Sequence, residues 1–437
     1  MAETPLTVRI RPDRTPPSLA EYRQSGGYEA VDQALKDMQP EAVRNLVSAS
    51  NLRGRGGAGF PTGKKWSFVP QGDDAPQPKY LLVNADEMEP GTFKDRLLLE
   101  GDPHQLIEGV ILSAYAIGAS QAYIFLRGEY ITAARVLRRA IAEARDAGLL
   151  GRGIRGSNFD LELHLHMSAG RYICGEETAL ISALEGHRAI PRTKPPYPQA
   201  AGLHGHPTVV NNVETLCCVP HIVARGADWF RSLSRTDDGG TKLYGASGRV
   251  RKPGLWELPM GTTAREILEE HAGGMRDGYH FRGLLPGGAS TDFLIDEHLD
   301  LPMDFAGLSA AGSRLGTGTM IILDDRTCPV GLCLNLERFF AQESCGWCTP
   351  CRDGLPYVAE TLAAIEAGRG RAGDLDLLEQ HTRLLGMGNT FCAHAPGAME
   401  PLQSALKYFR DDFEQHIREG RCPFAEVVRR DAIDQPA

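Results

Sequence analysis

The segment Glu343-Ser-Cys345-Gly-Trp-Cys348-Thr-Pro-Cys351 carries three cysteines at C-x2-C-x2-C spacing, and Cys392 follows further along the chain. Each two-residue gap turns the next thiolate toward the same point, so the three side chains can bind one inorganic centre. With Cys392 as a fourth ligand, the set suits a [4Fe–4S] cluster or a structural zinc ion. The uninterrupted triplet favours iron–sulfur, because zinc ribbons usually pair one C-x2-C with a distant second one. A disulfide is the third alternative.

The composition predicts a globular chain with two or three domains. At 437 residues, with 42% hydrophobic and 24% charged residues, the chain has ample apolar material for a core. The net charge of −9 argues against a nucleic-acid surface, so an anionic cofactor would need local help from glycine backbone or lysines. Ten cysteines, clustered and not evenly spread, indicate ligands and buried thiols in a reducing, intracellular compartment. We find no signal peptide and no apolar run of transmembrane length.

A glycine-rich segment, residues 54–63, is predicted to bind a ligand through its backbone. Gly54, Gly56 and Gly59 match G-x-G-x-x-G, but the dinucleotide fingerprint requires a preceding strand and a following helix. Here residues 29–50 have helical periodicity and Pro61 interrupts the next segment, so this is not the usual dinucleotide-binding turn. The glycines nevertheless expose backbone N–H groups and allow a ligand to approach closely.

The residues beside this segment favour ligand binding over the alternative, a flexible surface loop. Lys64 and Lys65 could offset phosphate charge. Phe60, Trp66 and Phe68 are aromatic side chains able to stack on a planar ring.

Strands alternate with helices over the next part of the chain, which predicts an α/β domain. Buried or half-buried strands are predicted at 79–84, 121–126 and 159–167, and helices at 104–117, 130–147 and 179–184. Loops at the carboxyl ends of such strands carry ligands. Two of these loops hold polar residues: Asn84, Asp86, Glu87 and Glu89 after the first strand, and Glu176 and Glu177, preceded by Gly175, after the third.

Each of these polar groups also has a plain structural explanation. The first set could be a solvated acidic turn, and Glu176 and Glu177 could simply complement a helix dipole.

Further candidate residues follow along the chain. Lys194 and Tyr197 stand on a stiff proline-rich segment. The adjacent amides of Asn211 and Asn212 suit a ring or a phosphate, or serve equally as a helix N-cap.

The patterns divide the chain into four segments. Residues 1–30 are predicted to form an extended arm, and 31–240 the α/β domain. Residues 241–325 are predicted to form a small β-grasp module in which Thr263 and Glu266 make a capping box. Residues 326–437 are predicted to form a four-helix bundle that holds the cysteine loop, with Cys392 between the third and fourth helices.

Taken together, these segments resemble the NADH-binding, FMN-containing subunit of bacterial respiratory complex I. The resemblance extends from about Tyr22 to Phe413 and rests on five motifs in order. They are Gly54-Arg-Gly-Gly-Ala-Gly-Phe60, Asn84-Ala-Asp-Glu-Met-Glu-Pro-Gly91, Tyr172-Ile-Cys-Gly-Glu-Glu-Thr178, Val210-Asn-Asn-Val-Glu-Thr215 and Glu343-Ser-Cys-Gly-Trp-Cys-Thr-Pro-Cys351. The resemblance implies a non-standard Rossmann-like α/β domain for FMN and NADH, a ubiquitin-like β-grasp domain of the SLBB type, and a helical bundle with a [4Fe–4S] cluster.

The resemblance also implies roles for individual residues. The nucleotide cradle would be Gly54, Arg55, Gly56, Gly57, Ala58, Gly59 and Lys64. Further cofactor contacts would be Asn84, Asp86, Glu87, Tyr172, Gly175, Glu176, Lys194, Asn211, Asn212 and Thr215. Phe60, Phe68 and Tyr197 would stack on the adenine of NADH, while Glu89 and Glu177 would face the nicotinamide ribose and carboxamide. Glu87 near the adenosine ribose would repel a 2′-phosphate and so favour NADH over NADPH.

The implied activity is hydride transfer from NADH to FMN, with no protein acid in the bond-making step and with Glu89 and Glu177 only positioning the reactants. Electrons would then pass singly to the cluster on Cys345, Cys348, Cys351 and Cys392. The family implies two partners, a thioredoxin-like [2Fe–2S] subunit and a large iron–sulfur subunit, in a peripheral arm that delivers electrons to quinone on the cytoplasmic face of the inner membrane. The remaining cysteines are predicted to be small buried hydrophobes: Cys174, Cys217, Cys218, Cys328, Cys333 and Cys422.

Two other functions compete with this one. The first is the diaphorase subunit of an NAD-linked formate dehydrogenase or hydrogenase, which often carries an added thioredoxin-like domain or ferredoxin-type cysteines that this chain lacks. The second is a non-enzymatic interaction subunit with a structural zinc.

Overall fold

The computed structural model describes residues 3–425, and the chain divides into two compact units. The first comprises Met1–Met88, Thr92–Tyr244 and Trp256–Thr262, and the second comprises Glu89–Gly91, Gly245–Leu255 and Thr263–Ala437. Within residues 3–425, no helix combines the length and the apolar character needed to cross a bilayer.

A four-stranded parallel sheet forms the centre of the first unit. Its strands are β1 (Tyr80–Ala85), β2 (Gln121–Leu126), β3 (Glu162–Met167) and β4 (Thr208–Asn212), in the order β3-β2-β1-β4. Leu81, Leu82 and Val83 have no exposed surface, as expected for a parallel strand covered on both faces. The predicted first and second strands are confirmed to within a residue, while the third begins a few residues later than predicted.

The strand order places a topological switch point beside β1. The chain leaves β1 for β2 on one side, and β4 later pairs with the other side of β1. In open parallel sheets, ligands bind in the crevice at the carboxyl ends of the strands where the order reverses. Asn84, near the end of β1, lies opposite Asn212 at the end of β4.

Helices cover both faces of this sheet. They are α1 (Leu19–Gln24), α2 (Glu29–Asp37), α3 (Pro40–Ala49), α4 (Thr62–Ser67), α5 (Lys94–Gly101), α6 (Pro103–Ile117), α7 (Ile131–Asp146), α8 (Glu177–Leu184), α9 (Pro198–Ala201), α10 (Val213–Arg225) and α11 (Ala227–Ser232). The helical periodicity of residues 29–50 is divided between α2 and α3 because Pro40 begins the second helix and has no N–H to continue the first.

The N-terminal arm differs from the prediction because it is not extended throughout. Within it, Ser18 and Glu21 form a capping box that starts α1: the Ser18 N–H donates to the Glu21 carboxylate at 2.8 Å. Further upstream, Leu6 is buried and its N–H donates to Glu257 at 3.0 Å. Local capping chemistry therefore outweighs the proline content on which the prediction rested.

A second four-stranded sheet has the order β6-β5-β8-β7. Its strands are β5 (Thr241–Ser247), β6 (Gly254–Pro259), β7 (Phe281–Leu285) and β8 (Thr319–Asp324), with β5 and β8 parallel and β7 and β8 antiparallel. The short helices α12 (Ala264–Glu266) and α13 (Phe305–Ala310) accompany it. The predicted capping box of Thr263 and Glu266 is present at the start of α12.

The end of the described chain is helical. Its helices are α14 (Pro329–Glu343), α15 (Thr349–Glu366), α16 (Asp374–Leu384), α17 (His394–Tyr408) and α18 (Arg410–Glu419). The fourth predicted helix is divided at Phe409 into α17 and α18. The last residues of the predicted bundle, 426–437, lie outside the described residues.

The predicted boundary at 325/326 does not separate two compact units, because residues on its two sides form a hydrogen bond and an ion pair with each other. The Phe293 N–H donates to Ser404 Oγ at 2.8 Å, and Arg314 Nε lies 2.7 Å from Glu400 Oε2. Both segments accordingly fall within the second unit.

A buried ion cluster around Glu214 ties the elements of the first unit together. Glu214 Oε2 lies 2.8 Å from Lys94 Nζ and 3.3 Å from Lys242 Nζ, and Glu214 Oε1 accepts a hydrogen bond from the Leu243 N–H at 2.8 Å. Burial acts to raise the pKa of Glu214, but Lys242 and Lys94 outweigh it and lower that pKa to about 2. The carboxylate is therefore charged, and it joins α10 to α5 and β5.

Replacing Glu214 with alanine is expected to lower the free energy of unfolding by about 3–5 kcal/mol, because Lys242 would remain buried without its partner. Urea unfolding of the purified chain measures the shift. Asp32→Ala is the control, since its ion pair with Arg155 is exposed and such pairs contribute about 0–1 kcal/mol. Equal shifts for the two variants would contradict a dominant role for the buried cluster.

Candidate functional site

A cavity of about 1130 Å³ opens in the first unit beside the switch point of the parallel sheet. Pockets for a single small molecule usually measure about 300–1,000 Å³, so this cavity has room for more than one ligand group. The predicted site residues that line it are Gly54, Gly56, Ala58, Gly59, Phe60, Lys64, Phe68, Asn84, Gly175, Glu176, Glu177, Lys194, Tyr197, Asn211, Asn212 and Thr215. Lys65, which the sequence analysis named as able to offset phosphate charge, also lines it, and the prediction omitted Pro195, Pro196, Gln199, Ala200 and Val210, which line it too.

The glycine segment forms one wall of the cavity as a closed loop. The Gly54 N–H donates to the Phe60 carbonyl at 2.9 Å, and the Thr62 N–H donates to the Leu52 carbonyl at 2.9 Å. Gly59 has φ +63°, a left-handed conformation that glycine adopts without strain. The loop follows helix α3 and precedes helix α4, which confirms that it is not the usual dinucleotide-binding turn.

The two adjacent amides at the end of β4 line the cavity and have structural bonds as well. Asn212 is the N-cap of α10: its Oδ1 accepts from the Glu214 N–H at 3.0 Å, and its Nδ2 donates to Asp95 at 2.6 Å. Asn211 Oδ1 accepts from the Trp66 indole at 2.9 Å. A Cβ on Gly56 would lie 3.0 Å from Asn212 Cβ, so the glycine allows the loop to pack directly on this strand end.

Glu177 lies between two lysines at the cavity. Lys65 Nζ is 2.7 Å from one of its carboxylate oxygens and Lys194 Nζ is 2.8 Å from the other. Burial acts to raise the pKa of Glu177, but the two lysines outweigh it and lower that pKa to about 2. With Lys64 and Glu176 included, three lysines face two glutamates, which leaves a net positive charge suited to phosphate groups.

Glu176 caps a helix beside an open glycine. Its carboxylate accepts from the Thr178 and Ala179 N–H groups, each at 2.9 Å, so the helix-terminal explanation of this residue is confirmed. A Cβ built on Gly175 meets no atom within 4 Å, although Gly175 lines the cavity. The space in front of Gly175 is therefore available to a ligand.

Three exposed aromatic side chains border the cavity. Phe60, Phe68 and Tyr197 have exposed fractions of 44%, 52% and 57%. The ring centroids of Phe60 and Phe68 lie 6.4 Å apart and their planes are inclined at 46°. Large exposed apolar side chains at one cavity indicate a binding surface, here for a planar ring.

Six predicted residues do not line the cavity, and their assignment stays a prediction: Arg55, Gly57, Asp86, Glu87, Glu89 and Tyr172. Arg55 is buried, and its guanidinium donates to the Gly239 carbonyl at 2.6 Å. Glu87 is buried, accepts from the Asp95 N–H at 2.8 Å and from the Tyr130 hydroxyl at 2.9 Å, and has its pKa raised to about 7 mainly by burial. Glu89 belongs to the second unit and accepts from the Ser290 N–H at 2.6 Å.

The four predicted cysteine ligands belong to the second unit. Cys345 and Cys348 lie in the loop between α14 and α15, Cys351 is in the first turn of α15, and Cys392 comes just before α17. Burial is the main cause that raises the pKa of Cys351 to about 12. The Ser344 hydroxyl, 3.2 Å from its Sγ, opposes that rise, and the nearby Cys348, Cys392 and Cys345 add to it. This all-thiolate set at a helix N-terminus fits an iron–sulfur cluster.

Three regions of the chain match known protein families. Residues 47–221 match the Nuo51 FMN-binding domain, residues 246–293 the SLBB domain, and residues 331–416 the NADH-ubiquinone oxidoreductase-F iron–sulfur binding region. The first match contains every residue that lines the cavity, and the third contains all four predicted cluster cysteines.

Curated relatives match over almost the whole chain. The F subunit of NADH-quinone oxidoreductase from Escherichia coli K12 is 60% identical over 97% of this chain and 94% of its own length. The protein of the same name from Mycobacterium tuberculosis CDC 1551 is 50% identical over 96% of this chain and 95% of its own. Among solved structures, NAD+-reducing [NiFe]-hydrogenase in the air-oxidized state has a TM-score of 0.79 and 37% identity, covering 92% of this chain and 67% of that chain.

Valine at Gly175 is expected to remove bound flavin without unfolding the chain, because its side chain would project into open cavity space. The flavin content of the purified chain and its thermal unfolding midpoint are the measurements. Gly373→Val is the matched control, since Gly373 is exposed and a Cβ there also meets nothing within 4 Å. Full flavin occupancy in the Gly175 variant would contradict the placement of the ligand.

Proposed function

The chain belongs to the family of NADH-quinone oxidoreductase F subunits, and from this premise we propose that the cavity of the first unit holds FMN and the NADH that reduces it. Membership rests on the 60% identity that extends over 97% of the chain. The protein is an oxidoreductase component of respiratory complex I, with FMN and a [4Fe–4S] cluster as cofactors and NADH as substrate.

When bound, FMN accepts the hydride of NADH and releases the electrons singly to the iron–sulfur cluster. The chain's own residues supply position and charge. In the proposed arrangement, backbone N–H groups of the glycine loop and the lysines beside it bind phosphate. Gly175 leaves room for the ring system, and Glu177, held ionised between Lys65 and Lys194, hydrogen-bonds the nicotinamide end of the substrate.

The adenine of NADH is proposed to stack at the three exposed aromatics. Phe60 and Phe68 present inclined faces on one side of the cavity, and Tyr197 follows the rigid proline segment 195–196. A tyrosine can stack as a phenylalanine does, with a hydroxyl that tolerates water at the rim. The large exposed fractions of these side chains support this placement.

The cluster is proposed to occupy Cys345, Cys348, Cys351 and Cys392, as the exit for electrons from the flavin. As a component of a complex, the chain has partner subunits. We propose that these are a thioredoxin-like [2Fe–2S] subunit and a large iron–sulfur subunit, in a peripheral arm on the cytoplasmic side of a bacterial membrane. The family relationship supports this assignment.

One observation favours a second candidate, the diaphorase subunit of an NAD+-reducing hydrogenase. Two structures of NAD+-reducing [NiFe]-hydrogenase superimpose on this chain with TM-scores of 0.79 and 0.80. Their identities of 37% and 35% are well below the 60% found for the Escherichia coli relative, so the complex I assignment has the stronger support.

Quantification of cofactors tests the proposed function. The purified complex is expected to contain about one FMN and, in this chain, about four irons, and NADH is expected to reduce both centres as followed by flavin absorbance and EPR. The complex that is isolated from its own cells through a tag on this chain should catalyse NADH-dependent quinone reduction. Hydrogen-dependent NAD+ reduction would instead establish the hydrogenase alternative, and a chain without flavin or iron would contradict both.

Phe68→Ala is expected to weaken NADH binding while the flavin content stays unchanged. Loss of one aromatic–base stack costs about 1–3 kcal/mol, which corresponds to an increase of about 5- to 150-fold in the Kd for NADH. Tyr357→Ala is the control, because that ring is also exposed but stacks on His381 in the second unit. An unchanged Kd in the Phe68 variant would exclude stacking at this residue.

A further inference from the structure

Four potential metal ligands outside the cluster motif converge in the second unit. They are Cys328, Glu366, His416 and Cys422, and one donor atom from each lies within 4.8 Å of the other three. Each comes from a different segment: the start of α14, the end of α15, the last turns of α18, and the chain just after α18. The sequence alone predicts the two cysteines to be small buried hydrophobes. Cys328 is buried as predicted, whereas Cys422 is only half-buried.

The spacing of the donor atoms fits one tetrahedral ion. Cys328 Sγ lies 3.3 Å from Glu366 Oε2 and 3.3 Å from His416 Nε2, and those two atoms are 3.2 Å apart. Zinc binds sulfur at about 2.3 Å and nitrogen or oxygen at about 2.0–2.2 Å, so tetrahedral ligands stand about 3.3–3.8 Å from one another. Three of the ligand pairs are therefore already within about 0.3 Å of that spacing.

The tautomer of His416 leaves its other nitrogen available to a metal. His416 Nδ1 lies 2.6 Å from the Asp412 carbonyl oxygen, and a carbonyl only accepts hydrogen bonds. The proton of the neutral ring is therefore on Nδ1, and the Nε2 lone pair points at Cys328 and Glu366. A backbone carbonyl that orients a histidine in this way is typical of metal sites. The ring is fully buried, so its orientation is held by packing.

Backbone features hold the other ligands in place. Cys328 is the N-cap of the 15-residue helix α14, and its Sγ accepts from the Gly331 N–H at 3.2 Å, which fixes the position of the sulfur. A Cβ on Gly368 would lie 2.0 Å from the Gly420 carbonyl oxygen. This close approach of two glycines brings the chain after α18 against the end of α15, and with it Cys422 toward Glu366.

We propose that Cys328, Glu366, His416 and Cys422 bind one Zn²⁺ ion in a structural site. Two thiolates and one imidazole select zinc over magnesium or calcium, which prefer oxygen ligands alone. All four positions are filled by the protein, as in structural and not catalytic zinc sites. Since zinc has no redox chemistry, the ion fastens the end of α18 to α14 and α15 and carries no electrons.

An ion pair between protonated His416 and Glu366 explains only part of this arrangement. It accounts for the 3.2 Å contact between those two residues. It does not account for the convergence of two cysteine sulfurs on the same point, where one donor atom from each of the four residues lies within 4.8 Å of the others. A Cys328–Cys422 disulfide is the competing arrangement for the two sulfurs, and both cysteines are free thiols in this structure.

The zinc content of the intact complex tests the proposal. After dialysis against a weak chelator, elemental analysis is expected to find about one zinc per chain, in addition to iron. X-ray absorption at the zinc edge should show about two sulfurs near 2.3 Å and about two lighter ligands near 2.0 Å. A zinc-free complex that takes up no added ZnSO4, a shell of sulfur alone, or a Cys328–Cys422 disulfide in peptide mapping would each overturn it.

Variants separate this site from the cluster and from nonspecific binding. Cys422→Ser and His416→Ala are each expected to lose zinc while iron remains, and Cys345→Ser to lose iron while zinc remains. Cys333→Ala is the control, because that buried thiol on α14 does not belong to the four proposed zinc ligands. The Cys333 variant should therefore keep the zinc ion. Zinc retained in both ligand variants would overturn the proposal. If those variants fail to fold, the absorption spectrum of the wild-type complex still decides.

Discussion

The buried carboxylate of Glu214 is the constraint on which the first unit depends. It forms ion pairs with Lys94 and Lys242 and accepts a hydrogen bond from the Leu243 N–H. All of these groups are buried, and an unpaired charge there would be strongly destabilising. The residue comes two positions after Asn212, so the same cluster holds the end of β4 in place. Asn212 in turn bonds Asp95, the neighbour of Lys94. The charged network is therefore hydrogen-bonded to Asn212, a residue that lines the cavity.

On that support, the parallel sheet and the glycine loop form the binding site together. The strand order opens a crevice at the ends of β1 and β4, where Asn84 and Asn212 stand opposite each other. The loop before α4 closes one side of the crevice and replaces the glycine turn that a dinucleotide-binding fold usually places after its first strand. The three lysines that line the cavity outnumber its two glutamates, so the cavity keeps a positive balance in a chain whose net charge is −9. Local charge, not total charge, governs anion binding here.

The helical part of the second unit serves two inorganic centres with different requirements. A redox cluster needs thiolates alone and a route to its partners, and the C-x2-C-x2-C loop at the start of α15 meets the first requirement. The proposed zinc site needs a closed shell, and it draws on residues far apart in the sequence. Both centres draw a ligand from the amino end of a helix, Cys351 in α15 and Cys328 at the start of α14. The proposed zinc ion would thus hold the start of α14 and the end of α15, while the opposite end of α15 carries the cluster ligand Cys351.

The sequence by itself determined the features that depend on residues close to one another in the chain. These include β1 and β2, the capping box of Thr263, the cysteine triplet and most of the cavity lining, because strand runs, caps and ligand spacings depend on neighbours in the chain. Only the tertiary structure decided the burial of Arg55 and Glu87, the pairing of Lys65 with Glu177, and the meeting of Cys328 with Cys422. Those outcomes depend on packing between segments distant in sequence, and no local pattern records which distant side chain will lie beside a given residue.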